Sequence, residues 1–317
     1  VAHTGKYRLG NKLGTGGMAE VYEGTLMGAE GFSRPVAIKH MLTGLSTDPE
    51  FEQMFLNEAR LAALLHHPNV VSVIDFDRDA EGRLFLVMEM VQGTDLRRLM
   101  DSGRLPVNVS THIVAKLLEA LAYAHLLQHE GRPLGLVHRD VTPHNVLLSA
   151  EGHVKLSDFG IAKAVERTSM TRTGMLKGKV SYMSPEQIEG EPLDGRSDLF
   201  AAGIVLWEML AGRSLFRGDA ASDRVVLNRI LIAPIQPPDQ VAPDVPPALS
   251  DLCMHLLQRE RAQRPADAQV ALSDLIRTGL VDAGGTWALR DLIEARQVHS
   301  SQAPTLESSL ASRPIPA

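Results

Sequence analysis

The 317-residue sequence predicts an α+β protein of two lobes, a small sheet-rich one with one main helix and a larger, mostly helical one behind it. Three observations predict this. Up to about residue 91, short apolar runs of strand type follow one another with a single helical pattern between them. From about residue 95 onward, apolar residues recur at helical spacing in one segment after another. Length and composition also allow it, since 317 residues with 44% apolar and 22% charged side chains can build one large or two modest cores.

Strand-like runs fall at Tyr7 to Leu13, Glu20 to Leu26, Pro35 to His40, Val70 to Asp77 and Leu84 to Met90. A helix is predicted over 50–65. Asp48 suits its N-cap and Pro49 its first position, and Phe51, Phe55, Ala59 and Ala62 recur at helical spacing, flanked by Leu61 and Leu65. On that helix Glu58 falls beside Phe51, Phe55 and Ala62, so it faces the core. A buried acid needs a cation, and the lysine that ends the apolar strand Val36-Ala37-Ile38-Lys39 is the obvious one. Farther on, Ser110 is placed as the cap of a helix whose Ile113, Val114, Leu117, Leu118, Leu121 and Ala122 share one stripe.

Further helices are expected near 198–211, 222–232, 248–258, 266–278 and 286–297. Residues 161–182 are polar and rich in threonine and basic side chains, which reads as a loop. From Val298 onward Ser, Pro and Ala dominate without an apolar period, as in a linker or flexible end. The expected boundaries are therefore 1–92 for the small lobe, 93–297 for the large lobe and 298–317 for a tail. Trp287, Leu289 and Leu292, just before that tail, are expected to cap the large lobe.

Composition also narrows the function. A net charge of −6 argues against general affinity for nucleic acid or anionic membrane. The single cysteine, Cys253, precludes an intrachain disulfide, fits a reducing compartment and reads as a small core residue. Twelve histidines show no HExxH spacing and there is no CxxC, so no zinc site is expected. The longest membrane-helix candidate, Leu199 to Leu210, falls short of the roughly eighteen apolar residues a span needs and contains Glu208. The segment is accordingly expected to be cytoplasmic, without membrane contact. No signal-peptide pattern opens it, and it starts without Met close to its first motif, which fits a part of something longer.

The chemistry is concentrated in His138-Arg139-Asp140-Val141-Thr142-Pro143-His144-Asn145, followed thirteen residues later by Asp158-Phe159-Gly160. Phosphoryl transfer from ATP needs a carboxylate to orient a hydroxyl and accept its proton, and oxygen ligands to hold magnesium on the phosphates. Asp140 suits the first role. Asn145 and Asp158 suit the second, because a hard cation prefers oxygen donors. Either motif alone is weak evidence; order and spacing make them specific. Upstream, the glycine-rich stretch Leu13-Gly14-Thr15-Gly16-Gly17-Met18-Ala19-Glu20-Val21 lets backbone N–H groups approach phosphates closely. Lys39, held by Glu58, can then neutralise the inner phosphates.

With these motifs in this order, the chain resembles the eukaryotic-like (Hanks-type) serine/threonine protein kinases, in the style of their bacterial members, over about residues 5–280. The resemblance implies a two-lobed protein-kinase-like fold with ATP and Mg2+ in the crevice, and protein Ser/Thr hydroxyls as acceptors in bacterial signal transduction. It assigns Leu13, Gly14 and Gly16 to the loop over the nucleotide and makes Leu86 to Gly93 a hinge with Met88 as gatekeeper. The Glu89 carbonyl and Val91 backbone would then bond adenine, Asp95 the ribose hydroxyls, with Val21 and Ala37 as roof and Leu147 as floor. It reads Ser184-Pro185-Glu186 as the counterpart of Ala-Pro-Glu, pairs Glu186 with Arg264, and makes Asp198 a brace for the catalytic loop. Among Thr168, Ser169, Thr171 and Thr173, spacing to Gly178 favours Thr173, then Thr171, as autophosphorylation sites. A phosphate there could dock on Arg139. A homodimer is left open.

Two departures fall inside the catalytic machinery. Lysine is usual two positions after the catalytic aspartate, where this chain has Thr142, and threonine is usual after Gly178, where it has Lys179. The pair reads as exchanged, with Lys179 supplying the charge from the opposite side, since stabilisation depends on where a charge ends up. The alternative is a pseudokinase or scaffold with little turnover, against which the intact Lys39, Asp140, Asn145 and Asp158 count. A small-molecule phosphotransferase is disfavoured by the Ser-Pro-Glu motif with Asp198 and Arg264. Pro143 leans toward serine/threonine specificity, and Ala19, in place of a third loop glycine, leaves the backbone accessible.

Overall fold

In the computed structural model, residues 3–16, 18–46, 48–159 and 179–301 are described. The small lobe is an antiparallel sheet of β1 (His3–Thr4), β2 (Tyr7–Thr15), β3 (Ala19–Met27), β4 (Ser33–Met41), β5 (Val73–Arg78) and β6 (Leu84–Glu89), in the order β1-β2-β3-β4-β6-β5. Central β4 places Lys39 opposite Val21 on one side and Leu86 on the other, and Ala37 opposite Met88. Strand alternation sends Val36 and Ile38 to one face, where they pack with Tyr7, Phe85 and Val87. The other face carries Lys39 and meets α1 (Pro49–Ala62).

That helix begins as its sequence predicts, with the Asp48 side chain accepting from Glu50 N at 2.9 Å and Pro49 in the first turn. Phe55 and Ala59 pack against Met41, Leu84 and Leu86, and Glu58 is buried beside them. One strand differs from expectation: β5 starts at Val73, not Val70. The preceding residues pair with the large lobe instead, Val71 N donating to Leu156 O (3.0 Å) and Leu156 N to Asn69 O (2.8 Å).

The large lobe opens with β7 (Gly93–Asp95) and α2 (Leu96–Asp101), then α3 (Val107–His125) and the short strands β8 (Gln128–His129) and β9 (Arg132–Pro133). Strands β10 (Val146–Ser149) and β11 (Val154–Leu156) follow, and β7, β10 and β11 form a small sheet in the order β11-β10-β7. Its strands are too short to stand out from the helical periodicity around them. Gly93 is required there, because a Cβ would lie 2.0 Å from the Leu148 carbonyl oxygen.

The remaining helices are α4 (Pro185–Glu189), α5 (Gly195–Ala211), α6 (Asp223–Ile232), α7 (Pro238–Val241), α8 (Pro247–Leu256), α9 (Ala268–Arg277) and α10 (Gly285–Ser301). Helix α5 is buried on every side, and Cys253 packs against it with its thiol directed at Gly203 O. Ser110 is not a cap: α3 starts three residues earlier behind Pro106, and the Ser110 hydroxyl donates to the Pro106 carbonyl from inside the first turn. Helix α10 runs to Ser301, so the boundary expected at 297 falls within it. Leu289 enters the core as expected, together with Ile293, and Leu292 packs half-buried against it, whereas Trp287 is 60% exposed and does not cap the lobe. Among the described residues no helix is long and apolar enough to cross a membrane.

Candidate active site

Lys39 Nζ lies 2.5 Å from Glu58 Oε1 and 2.7 Å from Asp158 Oδ1, so β4, α1 and the stretch after β11 converge on one ammonium group. Burial alone would pull that ammonium down, but Asp158 and Glu58 outweigh it and hold it above the usual lysine range. The group therefore stays charged while nearly enclosed. A pocket lined by Glu58, Leu65, Val71, Met88, Asp158 and Phe159 opens behind this pair, a feature the sequence did not announce.

The catalytic-loop residues are arranged from below. Asp198, at the start of α5, accepts from His138 N (2.7 Å) and Arg139 N (2.8 Å) and also contacts His125 Nε2 (2.8 Å). These bonds hold Arg139 at φ +67°, a left-handed conformation that costs a residue with a side chain roughly 1–3 kcal/mol. Burial pulls the His138 imidazole below the usual histidine range, which keeps it neutral. A neutral ring protonated at Nε2 donates to Ser157 O (3.0 Å) while Nδ1 accepts from Asp140 N (3.2 Å). Phe159 packs on the same ring at 4.5 Å between centroids.

Asn145 Nδ2 donates to Asp140 O (2.7 Å) and Asp140 Oδ2 (3.1 Å), and Asn145 O accepts from Ser157 N (2.8 Å). The His-Arg-Asp and Asp-Phe stretches are thereby locked together. Because its amide nitrogen is turned to Asp140, Asn145 has its oxygen on the opposite side, the end a cation would take. Asn145 and Asp158 offer hard oxygen donors, and the described residues hold no cluster of three or more metal-ligating acids, histidines or cysteines. That set fits Mg2+, which commonly takes one or two protein ligands and completes its shell with water and phosphate oxygens.

The hinge-side residues also assemble. Ala37 pairs with Met88 across β4 and β6, Val21 with Gly14 and Lys39, and Leu147 with Asp95. Gly16 N donates to Ala19 O (2.7 Å), closing the tip between β2 and β3, and Leu13 is exposed. The Glu89 side chain turns away to accept from Ser72 N and Lys155 Nζ, both at 2.8 Å, leaving only backbone for a base. Asp95 caps α2 by accepting from Arg98 N at 3.0 Å, and Val91 lies just ahead of β7.

On the substrate-lobe side, Arg264 and Glu186 pair as expected. Less legible is Tyr182, whose hydroxyl donates to buried Glu208 at 2.7 Å; Glu208 also accepts from Ser214 Oγ and Leu215 N. Burial and this carboxylate push the phenol above its usual range. The only sequence signal for Glu208 was an acid inside an apolar helix. Thr142 is buried. Lys179 opens a short 3-10 turn (Lys179–Tyr182), but its side chain lies outside the described residues, as do Gly17, Gly160, Thr168, Ser169, Thr171, Thr173 and Gly178.

A charged lysine shared between a helix glutamate and a second acid, set above a loop in which an aspartate and an asparagine are bonded together, defines a catalytic domain of the protein kinase class. Comparison with known families agrees: the model described as the protein kinase domain matches residues 7–276, and the chain belongs to that family. Over 321 residues it is 38% identical to a protein named tyrosine-protein kinase MasK of Myxococcus xanthus, covering 97% of this chain and 49% of that protein. It is also 38% identical to serine/threonine-protein kinase PknA of Mycobacterium tuberculosis over 269 residues, 83% of this chain and 59% of PknA. The chain thus spans about half to three fifths of the length of these relatives. The crystal structure of the M. tuberculosis PknI kinase domain aligns with a TM-score of 0.63 at 28% identity, over 87% of this chain and 97% of that one.

Proposed function

We propose that this domain transfers the γ-phosphoryl group of ATP to serine and threonine hydroxyls of proteins. The observation that carries the reading is the Lys39 ammonium bridging Glu58 and Asp158, 2.5 and 2.7 Å away, in a site where Asp140 and Asn145 are already bonded to each other. Asp140 orients the acceptor hydroxyl and takes its proton. Lys39 neutralises the inner phosphates, with Glu58 holding it in place. Asn145 and Asp158 would hold Mg2+, which neutralises charge on the triphosphate. Leu13, Gly14, Gly16, Val21, Ala37, Met88 and Leu147 enclose the nucleotide; the Glu89 and Val91 backbone bonds the base and Asp95 the ribose. Lys179 supplies the charge that Thr142 lacks.

Within the same reading, residues 1–92 and 93–301 act as the two lobes of one cytoplasmic signalling enzyme that phosphorylates itself on Thr173 and then Thr171. Incubation with radiolabelled ATP, Mg2+ and a casein-type acceptor tests it, with Lys39→Ala and Asp140→Asn as controls. Label in the wild type that both substitutions abolish supports the reading; no label in folded wild type sinks it.

A second reading concerns the acceptor. The Myxococcus relative is named a tyrosine-protein kinase, and Thr142 departs from the lysine usual at that position in serine/threonine kinases, while Pro143 leans the other way. Phosphoamino-acid analysis of the labelled product separates the two, since phosphotyrosine alone would replace the serine/threonine assignment.

A further inference from the structure

Helix α10 lies wholly beyond residue 276, where the family match ends, yet its first turn meets the small sheet that carries Asp95 and Leu147, and Arg296, farther along it, meets the end of α2. At its first turn the Thr286 carbonyl meets the β10–β11 turn at Gly152. A Cβ there would sit 2.1 Å from that oxygen, and Gly152 has φ +88°. In the middle of the helix, Leu289 and Ile293 enter the main core.

Farther along, Arg296 turns its guanidinium onto the C-terminal end of α2. Nη1 donates to Leu99 O (2.6 Å), Ser102 Oγ (2.9 Å) and Gly103 O (3.0 Å), and Nη2 to Arg104 O (2.7 Å). Of these acceptors Leu99 O is a last-turn carbonyl of α2, without a partner inside the helix and shared with Ser102 Oγ at 2.6 Å. Gly103 O and Arg104 O belong to the turn that follows, and a planar, permanently charged fork is suited to gather helix end and turn at once. Helix α2 has only six residues, about 9 Å at 1.5 Å per residue. Its opposite end is Asp95, and its Arg97 N donates to Pro143 O of the catalytic loop at 3.1 Å. One guanidinium thus fixes a short rigid element whose other end stands at the nucleotide cleft.

We propose that Arg296 is a positioning residue for nucleotide binding, which anchors α2 from behind so that Asp95 is held in place for the ribose hydroxyls. The inference rests on the reading of Asp95 given above. Its signature is loss of ribose discrimination, which a general loss of stability would not produce.

The test is the Kd of ATP and of 2′,3′-dideoxy-ATP for the wild type, Arg296→Ala, Arg296→Lys and Arg277→Ala, an exposed control on α9. Wild type and control are expected to bind ATP about tenfold more tightly than the dideoxy nucleotide, as hydrogen bonds to a carboxylate imply. Both Arg296 variants are expected to lose about three- to tenfold in ATP affinity and to hold the dideoxy nucleotide within about twofold of wild type. Melting curves establish that each variant is folded at the assay temperature. Arg296→Lys, which keeps the aliphatic stem and a cation but not the fork, serves if Arg296→Ala is unfolded. Equal weakening of both nucleotides, or no weakening of ATP, overturns the proposal. So does wild type that binds ATP but ignores the ribose hydroxyls, with the kinase reading intact; wild type that binds no ATP overturns that reading itself.

Discussion

Arg264 and Glu186, 78 residues apart in sequence, meet as a bidentate ion pair in which neither side chain is more than 4% exposed. The two bonds measure 2.7 and 2.9 Å, Ser197 Oγ donates to the same carboxylate at 2.6 Å, and the guanidinium lies 4.8 Å from the centre of the Phe200 ring. The pair ties α4 to the α8–α9 connection across the N-terminal turn of α5.

Removing one partner leaves the other buried and uncompensated, which costs about 3–5 kcal/mol. Arg264→Ala is therefore expected to lower the urea midpoint by that equivalent, and Arg264→Lys to lose much of the same stability because an ammonium cannot reproduce the fork. An Arg264→Lys midpoint equal to wild type contradicts this.

The same pair sets a pH dependence. Burial acts to raise the Glu186 carboxyl, but Arg264 and Ser197 outweigh it and hold it below the ordinary 4.5. A depressed folded pKa gives stability that is present above the unfolded value and is lost as pH falls through the folded one. Wild type should therefore lose stability below about pH 4.5 more steeply than Glu186→Gln. Urea midpoints taken from neutral to acid pH check this, and parallel curves would count against it.

Asp198 is expected to matter for turnover more than for nucleotide binding. Asp198→Asn faces an amide N–H toward backbone donors that now share one carboxylate, so Arg139 is no longer held at φ +67°. A displacement of about 1 Å at the catalytic loop is worth about 10²-fold in rate. Steady-state kinetics should show that loss in kcat, with the Kd of an ATP analogue unchanged.

What the sequence revealed follows from how local its signals are. The Lys39–Glu58 pair was legible because a core-facing acid and a strand-ending lysine each lack a partner nearby in sequence. The start of α1 was legible from Asp48 and Pro49, which act within a single turn. By contrast Ser110, a good capping residue, was overruled by Pro106, and Val70 was drawn out of its strand by Leu156, 86 residues away. The Arg296 contacts, spanning 192 to 197 residues, leave no local trace at all. Tyr182 and Glu208 were likewise joined only by tertiary packing.

Gly152→Ala is expected to destabilise the domain by about 1–3 kcal/mol, because the residue needs φ +88° and its Cβ would meet Thr286 O. A melting temperature unchanged from wild type would mean that α10 is not held against the β10–β11 turn.

The central claim, that Lys39, Asp140 and Asp158 act on one bound nucleotide, is tested most directly by mass spectrometry of wild type and Asp140→Asn after incubation with ATP and Mg2+. Wild type should gain phosphate within residues 165–181, first on Thr173, while Asp140→Asn gains none and still binds an ATP analogue with unchanged Kd. Equal phosphate on both proteins, or none on folded wild type, would contradict the account.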